Sequence, residues 1–160
     1  MSKELKVTSD KVDNYQLLIS IIKAEIETEK DYIANLSNIS AYFMALVKDI
    51  SWVGFYILKG GELVLGPFQG KAACTRIKLG NGVCGKAAKD ETLIRVDNVH
   101  EFPSHIACDS DSNSEIVIPI FKNSILVGVL DIDSTSLERF KELEEEYFAK
   151  AALEIEGCGW

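Results

Sequence analysis

Apolar residues near the amino end recur at three- and four-residue steps: Tyr15, Leu18, Ile19, Ile22 and Ile26 form one stripe, behind Ser9 and Asp10 as caps. A looser stripe of Ile33, Leu36, Ile39, Phe43 and Leu46 or Val47 predicts a second helix. The period then changes. Residues 52–58 are aromatic and β-branched, and they end at Gly60-Gly61, a hairpin signal leading into a strand over 62–65. Residues 66–115 read mostly as loop, with a short helix near 83–89 and a strand at 92–96. A structureless stretch of that length is unusual in a compact domain unless it carries function. Two strands, 116–121 and 125–133, pair through Lys122-Asn123-Ser124, and Pro119 demotes the first towards an edge or marks a bulge. A closing helix is expected from about Ser136, where Thr135 and Glu138 have capping-box spacing and Leu137, Phe140, Tyr147 and Ala151 mark the buried side. The order predicts an α+β fold: a central, largely antiparallel β-sheet, flanked by helices on one side and by a ligand-binding loop region on the other.

Length fits one domain over residues 1–160 with a core that needs no staples. A formal charge of -8 disfavours nucleic acid and anionic lipid as partners, and no apolar run is long enough to cross a bilayer. The first residues lack the apolar core of a secretory signal, which predicts a cytoplasmic location. In that reducing compartment a disulfide is expected to be transient and catalytic rather than structural.

That expectation sharpens the reading of three cysteines. Cys74, Cys84 and Cys108 stand among Gly, Thr, His and Asp rather than in apolar runs, which points to reactivity. A thiol attacks as thiolate. Cys84 precedes a short helix whose dipole favours the anion, while Cys108 has His105 nearby and Asp109 beside it, with opposite effects. A zinc site is the weaker reading, because the gaps between cysteines exceed usual ligand spacing. Cys158, in the terminal Gly-Cys-Gly-Trp, is expected to be an inert thiol in a mobile tail.

Strand alternation puts Asp131 and Asp133 on one face and Ile132 on the other, and Glu115 joins them across the hairpin. Either they mark solvated strand ends or they build a polar pocket. Trp52 and Tyr56 share one face of their strand, opposite Val53, Phe55 and Ile57, and aromatic rings suit a thioether or methyl group. Together these groups suit a small cationic ligand beside a nucleophilic thiol. A carboxylic acid of raised pKa would protonate a departing oxygen, and a second thiol would convert the resulting sulfenic acid to a disulfide.

Seven blocks carry a family likeness: Trp52-Val53-Gly54-Phe55-Tyr56, residues 65–70, Ala73-Cys74-Thr75-Arg76-Ile77, Gly82-Val83-Cys84-Gly85, residues 102–110, residues 112–117 and residues 127–134. In this order they resemble the free methionine-(R)-sulfoxide reductases, GAF-domain enzymes, from about Leu17 to Ile155. The resemblance implies a homodimer that reduces free methionine sulfoxide, with thioredoxin as reductant and no metal or organic cofactor. It implies Cys108 as the attacking cysteine, Cys74 and Cys84 as recycling cysteines in either order, and Glu115, Asp131 and Asp133 as substrate-holding acids. One of these acids, Glu115 or a neighbour, is the implied proton donor, and Trp52 and Tyr56 form the implied pocket wall. Ala72, Ser104, Asp111 and Thr135 depart from the family pattern, and Asp111 is expected to add negative charge near Cys108. The alternative is a GAF-type ligand or redox sensor that does not turn over.

Overall fold

A computed structural model describes residues 5–104 and 108–160. Two helices open the chain, α1 (Lys11–Thr28) and α2 (Tyr32–Leu46), each started by an aspartate that caps it. Asp10 accepts from the Asp13 N–H at 3.0 Å, and Asp31 accepts from the Ala34 N–H at 2.9 Å. The strands β1 (Trp52–Lys59) and β2 (Glu62–Gln69) follow as a hairpin. At its turn Gly60 and Gly61 take φ of 60° and 81°, the left-handed backbone that a two-residue turn requires. Then come β3 (Arg76–Lys78), α3 (Gly82–Asp90), β4 (Ile94–Val96), a 3₁₀ turn (Val99–Glu101), β5 (Ser114–Lys122), β6 (Ile125–Ser134) and α4 (Glu142–Ile155).

The six strands form one antiparallel sheet in the order β3-β2-β1-β6-β5-β4. Alternation divides its side chains. Phe55, Ile118, Leu130 and Ile132 point to one face and pack with Leu18, Phe43 and Phe148 of α1, α2 and α4. Tyr56, Val117 and Val129 point to the other, where α3 supplies Val83, Cys84 and Ala87. The helix face is sewn together at its rim by a buried polar cluster. Glu144 accepts from Tyr15 at 2.7 Å and from Arg139 at 2.9 Å, and Arg139 also donates to the Lys48 carbonyl at 2.7 Å.

Three expectations need correction. The last helix starts at Glu142, not near Ser136. Glu138 sits at φ 51° with its N–H given to the Asp97 carbonyl, so the box of Thr135 and Glu138 never forms, and Leu137 is exposed. Residues 66–115 hold the expected short helix, as α3, and more structure than their turn residues suggested, including the outer half of β2 and β3. The terminal segment is packed rather than loose: Cys158 is buried against the core, and the Trp160 ring stacks on Tyr32 with centroids 5.6 Å apart. Pro119 lies in an inner strand, but past the point where β4 stops pairing at Val117, next to a register shift at Ile120/Phe121.

Candidate active site

Three neighbouring strands build the floor of a cavity. β6 lies between β1 and β5, so Asp133 faces Trp52 on one side and Glu115 on the other, with Asp131 opposite Gly54 and Val117. Asp131, Asp133, Glu115, Trp52 and Tyr56 therefore project from the same face, and all five line one cavity of about 50 Å³ together with Cys84, Cys108, Asp109 and Ser112. Strand parity placed Asp131 with Asp133 and Trp52 with Tyr56, while their meeting in one pocket was implied only by the family resemblance. Solvated strand ends, the alternative for the acids, do not describe Glu115 and Asp131, which are 7% and 6% exposed.

The aromatic wall also holds the loop that carries Cys74. Trp52 stacks on Tyr56 and on Phe68, with centroids 6.1 and 5.4 Å apart. Its position needs a glycine at 54, because a Cβ there would run into the Trp52 and Phe68 side chains. The Trp52 Nε1–H donates to the Lys71 carbonyl at 3.0 Å, and the Tyr56 hydroxyl donates to the Cys74 carbonyl at 2.9 Å. Cys74 is joined to Cys108 by a disulfide, Cα to Cα 5.4 Å. The Lys71 ammonium spans the same gap, 2.5 Å from Asp111 and 3.7 Å from Asp109. Asp111 is thus neutralised by Lys71 rather than adding bare charge beside Cys108, contrary to expectation. His105 lies outside the described residues.

Cys84 differs from the other two. It is free, buried, and inside the first turn of α3 rather than ahead of it. Its thiol reaches Glu115 Oε1 at 3.7 Å. A helix N-terminus favours thiolate, but here burial, followed by the Asp131 and Glu115 carboxylates, pushes the thiol well above its ordinary range. Desolvation wins over the dipole. Cys84 is held as a thiol.

The acids are shifted in the same sense. Burial, then Asp131 and Asp133, raises Glu115 well above the usual carboxylic range. Burial raises Asp131 to about 6, and burial followed by Asp131 raises Asp133. Among the described residues none of the three has an ion-pair partner, and no Lys, Arg or His lines the cavity. Carboxyl groups crowded in this way resist ionisation, and they share the cavity with Cys108. Two buried polar atoms, Asp131 Oδ1 and Ser112 Oγ, find no hydrogen-bond partner among the described residues. Both belong to cavity-lining residues, so a bound ligand can satisfy them.

Sequence reasoning missed Ser112 and Lys71. Each stands in an aperiodic polar loop that reads only as a turn, and no residue spacing marks them. The zinc reading of the three cysteines does not hold, since Cys74 and Cys108 bind each other. The donors that do converge are Cys84 Sγ and one oxygen each of Glu115 and Asp131, all within 4.8 Å of one another.

Residues 34–157 match the GAF domain family. Protein YtsP of Bacillus subtilis is 47% identical over 94% of this chain and 94% of its own. The free methionine-R-sulfoxide reductase of Escherichia coli is 44% identical, over 92% of this chain and 89% of its own length. Among solved structures, the free methionine-R-sulfoxide reductase of Neisseria meningitidis in complex with its substrate superposes with a TM-score of 0.94 at 40% identity, covering 99% of this chain and 96% of that one.

Proposed function

Because this chain belongs to the GAF-domain family of free methionine-R-sulfoxide reductases, we propose that it reduces free L-methionine-(R)-sulfoxide to methionine at the cavity described above. The observation that carries this reading is the Cys74–Cys108 disulfide beside a cavity of buried acids and stacked aromatics. It is the state such an enzyme would reach after one turnover.

In the proposed cycle the Cys108 thiolate attacks the sulfoxide sulfur while Glu115 gives its proton to the oxygen. The protonated oxygen then passes from the substrate sulfur to the Cys108 sulfur as the transient sulfur–sulfur bond breaks, so methionine leaves and Cys108 is left as sulfenic acid. The Cys74 thiol then attacks the Cys108 sulfur, water departs, and the disulfide forms. Two electrons from the thiols have reduced one sulfoxide, and thioredoxin, a dithiol, returns them by exchange. Cys74 as the first resolving partner is supported by its bond to Cys108, with Cys84 free and buried.

Asp131 and Asp133 are assigned to the substrate ammonium, and Trp52 with Tyr56 to the S-methyl end. Such a site selects the free amino acid, since a peptide bond would remove the charge that the acids await. We further propose a single domain that works as a cytoplasmic homodimer with no resident cofactor, as the family likeness implies; light scattering of the purified protein tests the dimer. Among the described residues no helix is long and apolar enough to cross a membrane. The deciding experiment compares turnover of free and peptide-bound sulfoxide, R against S, with thioredoxin. Only free R substrate should be consumed, and Cys108→Ser should be inactive. Undiminished turnover by that variant would refute the assignment.

A further inference from the structure

The proposed reductase cycle leaves the Cys84 thiol unused, although two of the cavity acids converge on it. Cys84 Sγ and oxygens of Glu115 and Asp131 lie within 4.8 Å of one another, and all three residues are more than nine-tenths buried. Cys84 Sγ and Glu115 Oε1 are 3.7 Å apart. A tetrahedral zinc ion, with bonds of about 2.3 Å to sulfur and about 2.1 Å to oxygen, holds such a pair about 3.6 Å apart. Asp131 Oδ1 adds support, since it is buried and without a hydrogen-bond partner among the described residues, on a residue that lines the cavity.

We propose that Cys84, Glu115 and Asp131 form a binding site for a thiophilic divalent cation of the zinc class, with its fourth position open to the cavity. The donor types select the ion. Calcium and magnesium take oxygen ligands, so a site with one sulfur favours zinc and its soft neighbours. Among the described residues no positive side chain lines the cavity to compete for the acids. Binding is a substitution without electron transfer: the Cys84 S–H proton leaves to solvent as the sulfur–metal bond forms, along with any proton on the two carboxyls. The site is available with the Cys74–Cys108 bond in place, because Cys84 remains a free thiol. The donor geometry alone carries the site. Only its consequence, exclusion of the substrate ammonium from Asp131, rests on the function proposed above.

Cobalt(II), a spectroscopic stand-in for zinc, tests this on the full chain in its disulfide form. One equivalent should bind and produce the near-ultraviolet charge-transfer band of a cobalt–thiolate bond, and zinc should erase that band. Cys158→Ser should keep the band, and Cys84→Ser should lose it with its circular dichroism unchanged. Glu115→Gln and Asp131→Asn should each weaken binding roughly tenfold or more, at least what loss of an outer-shell partner costs; these two carry the test if Cys84→Ser does not fold. No band in the unsubstituted protein, or a band that survives Cys84→Ser, overturns the site. Reductase turnover with no metal binding would refute the metal site alone. Metal binding without turnover would leave it standing and count against the reductase reading.

Discussion

At the scale of single residues, the buried acids make the sharpest predictions. If protonated Glu115 donates to the departing oxygen, Glu115→Gln should lower kcat by roughly 10²–10⁴-fold, the usual worth of a placed acid. Its pKa is raised, so the active, protonated form is lost as pH rises through that value. The wild-type rate should therefore fall on the alkaline side, and the variant's residual rate should lack that limb. A pH–rate profile of both proteins decides it. Ser112 gives a milder prediction. Its hydroxyl has no partner among the described residues, so Ser112→Ala should weaken substrate binding by about 0.5–1.5 kcal/mol, the net value of one hydrogen bond. Because no described residue bonds that hydroxyl, the melting temperature of the free protein should hold or rise. Calorimetric titration with methionine and a melt of the free protein separate the two effects.

The helices and strands show which parts of the sequence could be read in isolation. Parity sufficed to set Asp131 with Asp133 and Trp52 with Tyr56, and hairpin register to add Glu115, but the meeting of acids and aromatics depends on the pairing of β1 with the distant β6. It could not suffice where distant chain decides. Thr135 and Glu138 have the spacing of a helix start, yet a hydrogen bond to Asp97 holds Glu138 out of one. Pro119 reads as an interruption, but it stands where the three-residue outer strand β4 has already ended, so its missing N–H breaks no ladder on that side. Lys71 and Ser112 were invisible because loops have no period to reveal which way a side chain turns. The placement of α3 yields a test. A Cβ at Gly85 would overlap the Lys78 carbonyl of β3, so Gly85→Ala must push the helix and its Cys84 away from the cavity. A loss of about 1–3 kcal/mol in stability is expected, measured by denaturant unfolding, with activity reduced as well.

For the molecule as a whole, the acidic cavity trades stability against binding. Asp131 rises from 3.8 to about 6 on folding. A raised acid stabilises the fold fully below its unfolded value, and that contribution disappears as pH climbs through the folded one. Glu115 and Asp133 shift the same way and extend the loss to higher pH. Glu144 runs opposite. Burial opposes its ionisation, yet bonds from Tyr15 and Arg139 hold it below its usual value, so its contribution is lost only at the acid end. The free protein should thus melt higher at mildly acidic than at neutral pH, by on the order of 2–4 °C for each kcal/mol involved. Asp131→Asn should flatten that slope between 3.8 and about 6 while raising the neutral melting point, as a scan of melting temperature against pH would show.

The division of the sheet has a practical consequence. Since β1, β5 and β6 send alternate side chains to the helices and to the cavity, the contacts that pack the core and the groups that line the site are written in different letters of the same words. An engineer can harden this protein by refitting contacts beneath α1, α2 and α4, and leave its chemistry where it stands.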